Sequence, residues 1–226
     1  MTASIPSVPS DYTDQPSSLC TTGLQPHIIT GIFLQLLREH FADPERIVSP
    51  YLKSCVWVAK DGDKVTPDTE NTKILIDPVY RWNLKSTQMR PGIVIKRNQL
   101  TPKPMGIGQS AAFGLGEDDY PEAGTHYSLL QVGSHTVFCI ATDGGAVEVL
   151  STEVSRYLYQ FAPVLMQEFG FNTFDVVQIG EVSVLEESSE HFVVPIVLQY
   201  SYIDRWLLAK QEPRLKRVSI DVGPEL

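Results

Sequence analysis

The chain has 226 residues, 42% of them hydrophobic, with 27 acidic and 18 basic side chains and a formal net charge of -9. That length fits a single large domain, the balance is that of a globular protein, and no apolar run approaches the ~18 residues of a membrane-spanning helix. The acidity argues against a surface that grips nucleic acid throughout, while leaving room for a local basic site.

The first basic residue is Arg38, so the start of the chain lacks the positive region of a secretory signal. Cys20, Cys55 and Cys139 are far apart and odd in number, which points to free thiols in a reducing compartment. Residues 1–20 hold three Pro, five Ser and no Lys or Arg. Alone, such a segment buries too little apolar surface to offset its ordering entropy. Residues 1–22 therefore read as an extended arm, with a neighbouring subunit as a candidate to hold it, and residues 23–226 as one domain.

Pro26 suits the first turn of a helix. Ile28, Ile29, Ile32, Phe33, Leu36, Leu37 and Phe41 then recur at helical spacing, which predicts a helix over about 25–42. Residues 55–59 and 73–77 read as strands, with a polar turn between them. A strand centred on Ile93, Val94 and Ile95 comes next. Residues 98–125 are rich in Gly, Pro and small side chains and read as a long loop, a kind of segment that is often functional. It carries the acidic run Glu117, Asp118 and Asp119.

Residues 126–132 and 135–141 flank Gly133 and Ser134, which fits a tight hairpin. From Val147 to Phe169 apolar residues step by three and four, an amphipathic helix with Pro163 as a candidate kink and Gly170 as a terminator. Strands over about 174–185 and 191–203 follow, with Pro195 predicting an edge or a bulge. The stretch RLKRVSIDVG reads as a short last strand. The expected class is α+β: a mainly antiparallel sheet with two principal helices packed on one face.

Enzymatic signals are weak. Residues 106–111 match GxGxxA, but Pro102 and Pro104 spoil the strand that a dinucleotide loop needs before it. If His135 and Cys139 share a strand they lie about 13 Å apart, too far for a nucleophile and its base. The five histidines lack metal-ligand spacing, and Glu117, Asp118 and Asp119 lack the remainder of a calcium loop. No catalytic, cofactor-binding or metal-ligating set is expected.

The unusual feature is a basic tract. From Pro78 to Gly116 there is no Asp or Glu, yet Arg81, Lys85, Arg90, Lys96, Arg97 and Lys103 fall within it. It reads either as a solvated surface or as an interface in which an apolar strand joins a sheet and its flanking cations meet an acidic neighbour or phosphate. Glu117, Asp118 and Asp119 are the matching candidates on the acidic side.

The second half carries HYSLLQVGSHTVFCIAT, DGGAVEVLSTEVSRYLYQFAPVLMQEFG, FDVVQIGEV and HFVVPIVLQYSYIDRW, preceded by IDPVYRW and RPGIVIKRN. In element order and local phrasing, over about residues 25–210, this resembles the tail terminator proteins of tailed bacteriophages and related neck proteins. The resemblance implies a ring-forming subunit, usually hexameric, that caps the tail tube and joins the tail to the head connector or stopper protein, with the sheath as a further partner in contractile tails. Genomic DNA would pass through the pore without specific binding. Assembly in the host cytoplasm, residence in the virion, no enzymatic activity and no cofactor are implied as well. In such a ring the basic tract would meet the acids of the next subunit through heterologous contacts, and the arm and the 98–125 loop would reach adjacent rings. The alternatives are another stopper, tube or baseplate component, a nucleotide-binding or hydrolytic enzyme around 106–119 and His135, and a DNA-binding module using the basic tract.

Overall fold

The structure, a computed structural model, describes residues 24–60, 63–68, 70–82, 90–103, 112–113, 125–186 and 188–208. The arm, the GxGxxA stretch, Lys85, the acidic run at 117–119 and the stretch RLKRVSIDVG lie outside these residues.

The first helix, α1 (Pro26–Ala42), has Pro at its first turn and buries Ile29, Phe33, Leu37 and Phe41, close to the predicted span. A 3-10 turn (Pro50–Leu52) follows. Strands β1 (Ala59–Lys60) and β2 (Asp63–Pro67) form a small antiparallel pair. Residues 55–58, read as strand, are extended but outside any sheet, whereas the predicted polar turn contributes β2. The main sheet contains β3 (Leu75–Pro78), β4 (Gly92–Lys103), β5 (Ala112–Phe113), β6 (Thr125–Ala141), β7 (Phe171–Ile179), β8 (Ser183–Leu185) and β9 (Ser188–Leu208). Its order is β3-β4-β6-β9-β7, with β5 on β6 and β8 on β9. Among the described strands of this sheet, only β3 and β4 pair in parallel. The sheet is open, with β3 at one edge and β7 at the other.

The second helix, α2 (Gly144–Glu168), starts where the Asp143 carboxylate accepts the Ala146 N–H at 2.9 Å, satisfying an otherwise unpaired helix-start donor. It runs through Pro163 and ends before Gly170, whose φ of 75° is a left-handed conformation that glycine adopts at no steric cost. Helix residues Phe33, Leu37, Leu150, Val154 and Leu158 share one core with Ile93, Ile95, Val137, Cys139, Ile196 and Leu198. Both helices thus cover the same face of the sheet.

Three readings of the sequence need correction. Gly133 and Ser134 do not turn the chain: β6 runs straight through them, pairing with β9 from Thr125–Leu208 to Ala141–Phe192. A Cβ at Gly133 would come within 2.8 Å of the Tyr200 hydroxyl and of Leu100. Glycine is there to admit a neighbour's side chain. Residues 98–103 belong to β4, not to a loop, and Pro102 pairs with Gln131. Proline is tolerated because β3 reaches only Gly92–Ile95, so among the described residues the far half of β4 pairs on one side alone. Finally, β9 is an interior strand. Pro195 is accommodated because its outer partners stop there: β7 ends opposite Ile196, β8 begins opposite Val193, and Gly180 N–H donates to the Pro195 carbonyl at 2.7 Å.

Candidate functional site

The basic tract does not gather into one patch. Side chains alternate across a strand, so Ile93, Ile95 and Arg97 point to the helix side while Val94 and Lys96 point to the bare side. Arg97 lies opposite His135 and Lys96 opposite Thr136. Both cations are exposed. Lys103, also exposed, ends β4 at about 23 Å from Lys96 along the strand.

Arg81 sits in the turn after β3, where burial raises the Asp77 pKa and the Arg81 charge partly opposes that rise. Arg90 is half-buried and its Nη1 donates to the Thr72 carbonyl at 3.0 Å, which ties the start of β4 to the segment before β3. Of the candidate interface residues, Arg81, Lys96, Arg97 and Lys103 are therefore solvent-exposed, Arg90 is engaged within the chain, and Lys85, Glu117, Asp118 and Asp119 lie outside the described residues.

On the helix side Arg97 opens onto a hollow of about 470 Å³ with His27, Thr30 and Tyr80. Behind it Thr30 joins His135. The Thr30 hydroxyl donates to the Pro26 carbonyl at 3.1 Å, so its oxygen accepts from His135 Nε2 at 2.8 Å. That assigns the His135 proton to Nε2 and leaves Nδ1 bare, buried and without a hydrogen-bond partner. Burial, with the nearby Arg97 charge second, lowers the His135 pKa to about 4. Cys139, on the same strand and fully buried, has its thiol pushed far up by burial. A thiol so shielded makes a poor nucleophile, and His135 is bonded elsewhere.

Two polar clusters escaped the sequence reading. Arg38 donates through Nε and Nη2 to the Ile76 carbonyl at 3.2 and 2.9 Å, pairs with Asp77 at 3.1 Å, and lies 5.3 Å from the centre of the Trp57 ring. Burial raises the Asp77 pKa, against the pull of Arg38 and Arg81. The second cluster is built on Glu153 of α2, which accepts from His40 Nε2 and the Val48 N–H, each at 3.0 Å, and the Ser49 N–H at 3.3 Å. It fastens the end of α1 and the following turn to α2. Burial lowers the His40 pKa more than Glu153 raises it. A signal was present: Arg38 continues the Leu34–Phe41 stripe and Glu153 the Leu150–Tyr157 stripe at helical spacing, so both had to be buried.

Among the described residues no group of three or more His, Cys, Asp or Glu gathers as a metal site. A second hollow, about 600 Å³, runs beside the outer side of α1 next to Trp57 and Ala59. No protein-family model matches the chain, and no curated protein matches its sequence at a significant level.

Proposed function

We propose that the chain is a structural subunit of a tailed bacteriophage, a tail terminator that forms a ring on the end of the tail tube and joins the tail to the head connector. One observation carries the reading: both helices cover one face of an open sheet, leaving part of the other face and the β7 edge without a covering layer among the described residues, whereas Arg38 caps the Ile76 carbonyl of β3. A partly open face and an open edge suit a subunit completed by neighbours. A ring presents two different surfaces of each subunit to its two neighbours. Exposed cations on opposite sides of β4 suit two such contacts, with the acids at 117–119 as a candidate counterpart and the basic side chains turned to protein rather than to the pore.

The test is the mass of the purified protein by light scattering, with negative-stain images of the same fraction alone and with purified tail tubes. Rings, free or capping tubes, are the expected result. A monomer that ignores tubes overturns the reading. Rings that bind a connector but not tubes would move the protein to a different position in the neck.

A further inference from the structure

We propose that the groove beside α1 is the seat of the chain's own N-terminal arm, residues 1–22. The groove is about 600 Å³ and is lined by Ile28, Gly31, Ile32, Gln35, Trp57 and Ala59, among others. It is mostly apolar, and Ile28 at its start is 37% exposed. Water against such a surface is unfavourable.

Gly31 argues that something packs there. It lies within a 17-residue helix, where glycine is a poor choice because it gains nothing in contact and loses backbone entropy. Nothing lies within 4 Å of the position its Cβ would take. No described neighbour therefore needs a glycine at this place, in contrast to Gly133. A bare backbone facing an open groove is what close approach by an incoming chain requires.

The arm is the occupant that position favours. It joins the domain at Leu24, which packs on the core one turn before Ile28, so a reversal at Gly23 lays it back along α1. From Ile28 to Ala42 the helix rises about 21 Å. An extended proline-type chain covers that in about seven residues, and the arm has 22. Its composition fits: Ile5, Val8, Tyr12 and Leu19 are interspersed with Pro6, Pro9 and Pro16. Proline-bearing segments of this kind dock in grooves with an aromatic wall because their extended form is already favoured in the free chain. Here Trp57 lines the groove but is itself almost fully buried, with Arg38 over its ring, so the apolar contact for the arm falls to Ile28 and Ile32. Attachment in the same chain keeps the arm at high effective concentration. The seat assigns the arm to its own subunit rather than to a neighbour, and it stands whether or not the protein forms rings.

The test uses the full chain with a photoreactive residue, Gln35→p-benzoylphenylalanine, at the exposed rim of the groove. After irradiation, crosslinked peptides are mapped by mass spectrometry in an equal mixture of heavy-nitrogen and ordinary chains. The expected result is crosslinks to peptides within residues 1–22, each pair of a single isotope. Adding Gly31→Leu fills the groove while favouring the helix, so the thermal midpoint holds and the crosslink yield falls about tenfold, equivalent to about 1.4 kcal/mol of lost seating. Crosslinks only to other segments, mixed-isotope pairs, no crosslink at all, or a yield that ignores Gly31→Leu would each overturn the proposal.

Discussion

The two faces of the main sheet are made by the same strands and have different chemistry. On the helix side, Ile93, Ile95, Val137, Cys139, Ile196 and Leu198 join a single core with both helices. On the bare side, Val94, Ile140 and Val193 form a small separate cluster roofed by Trp82, Phe138 and Leu185. Beyond it the bare side turns polar: Asn98 donates to Ser134 at 3.2 Å and Thr136 at 2.9 Å, and Thr173 and Ser201 share a hydrogen bond of 2.7 Å. The helix side holds the fold together. The bare side pairs these polar groups within the chain, although the buried Trp82 Nε1 has no hydrogen-bond partner there among the described residues.

The largest effect belongs to the helix side. Phe33 is fully buried and its ring meets those of His135, Phe171, Phe174 and Tyr200. Phe33→Ala is expected to cost about 3–5 kcal/mol in urea unfolding, the usual loss for a truncated core aromatic. A loss under about 1 kcal/mol would mean that this face is not the core that the fold depends on.

Acid should act on the same side. His135 has a folded pKa of about 4, below its unfolded value near 6.5. The neutral form is the one that the fold accepts, so this contribution is fully present above about pH 6.5 and is lost as pH falls towards 4. With about 1.4 kcal/mol per pKa unit, the full loss is roughly 3.5 kcal/mol, of which about 2–3 kcal/mol is reached by pH 4.5. His40, also lowered, adds in the same direction, whereas Asp77, raised by burial, opposes it at lower pH. Unfolding at pH 7 and pH 4.5 should show the drop in the wild type and a shallower one in His135→Gln. Equal slopes in the two proteins would rule out His135 as the source.

What the sequence made legible follows from which forces are local. The limits of α1 and the end of α2 are readable because Pro26, Gly170 and the three-to-four apolar step act within a turn or two, whereas the start of α2 at Gly144, behind the Asp143 cap, is not. Gly133 was misread because its reason is a partner far along the chain: Tyr200 fills the place a side chain would take. The same holds for Pro102, acceptable only because β3 is too short to reach it. The cations of the tract were visible as residue types. Their separation onto two faces depends on strand alternation, in which one residue step reverses every side chain. The Arg38 and Glu153 clusters needed the helical stripe to be read with polar residues left in it.

Gly133 gives the third prediction. Gly133→Ala is expected to cost about 1–3 kcal/mol through overpacking against Tyr200 and Leu100. Pairing it with Tyr200→Leu should recover part of that cost, a coupling that a double-mutant cycle in urea measures. A purely additive pair would place the glycine requirement in the backbone instead.

The smallest effect on stability and the most informative for assembly comes from the two cations on opposite sides of β4. Lys96 and Arg97 are both exposed, so Lys96→Glu and Arg97→Glu should each change unfolding free energy by no more than about 0.5 kcal/mol. In the proposed ring their effect on association should be larger, because a reversed charge would meet a like charge across the contact. If the ring closes through both faces of the strand, either reversal alone lowers the assembled mass seen by light scattering. If only the bare face is used, Lys96→Glu acts and Arg97→Glu is silent. Should both be silent while wild-type rings form, the tract is a solvated surface, and the contacts between subunits must be sought instead along the exposed apolar residues of the far edge, Val177, Ile179 and Val184.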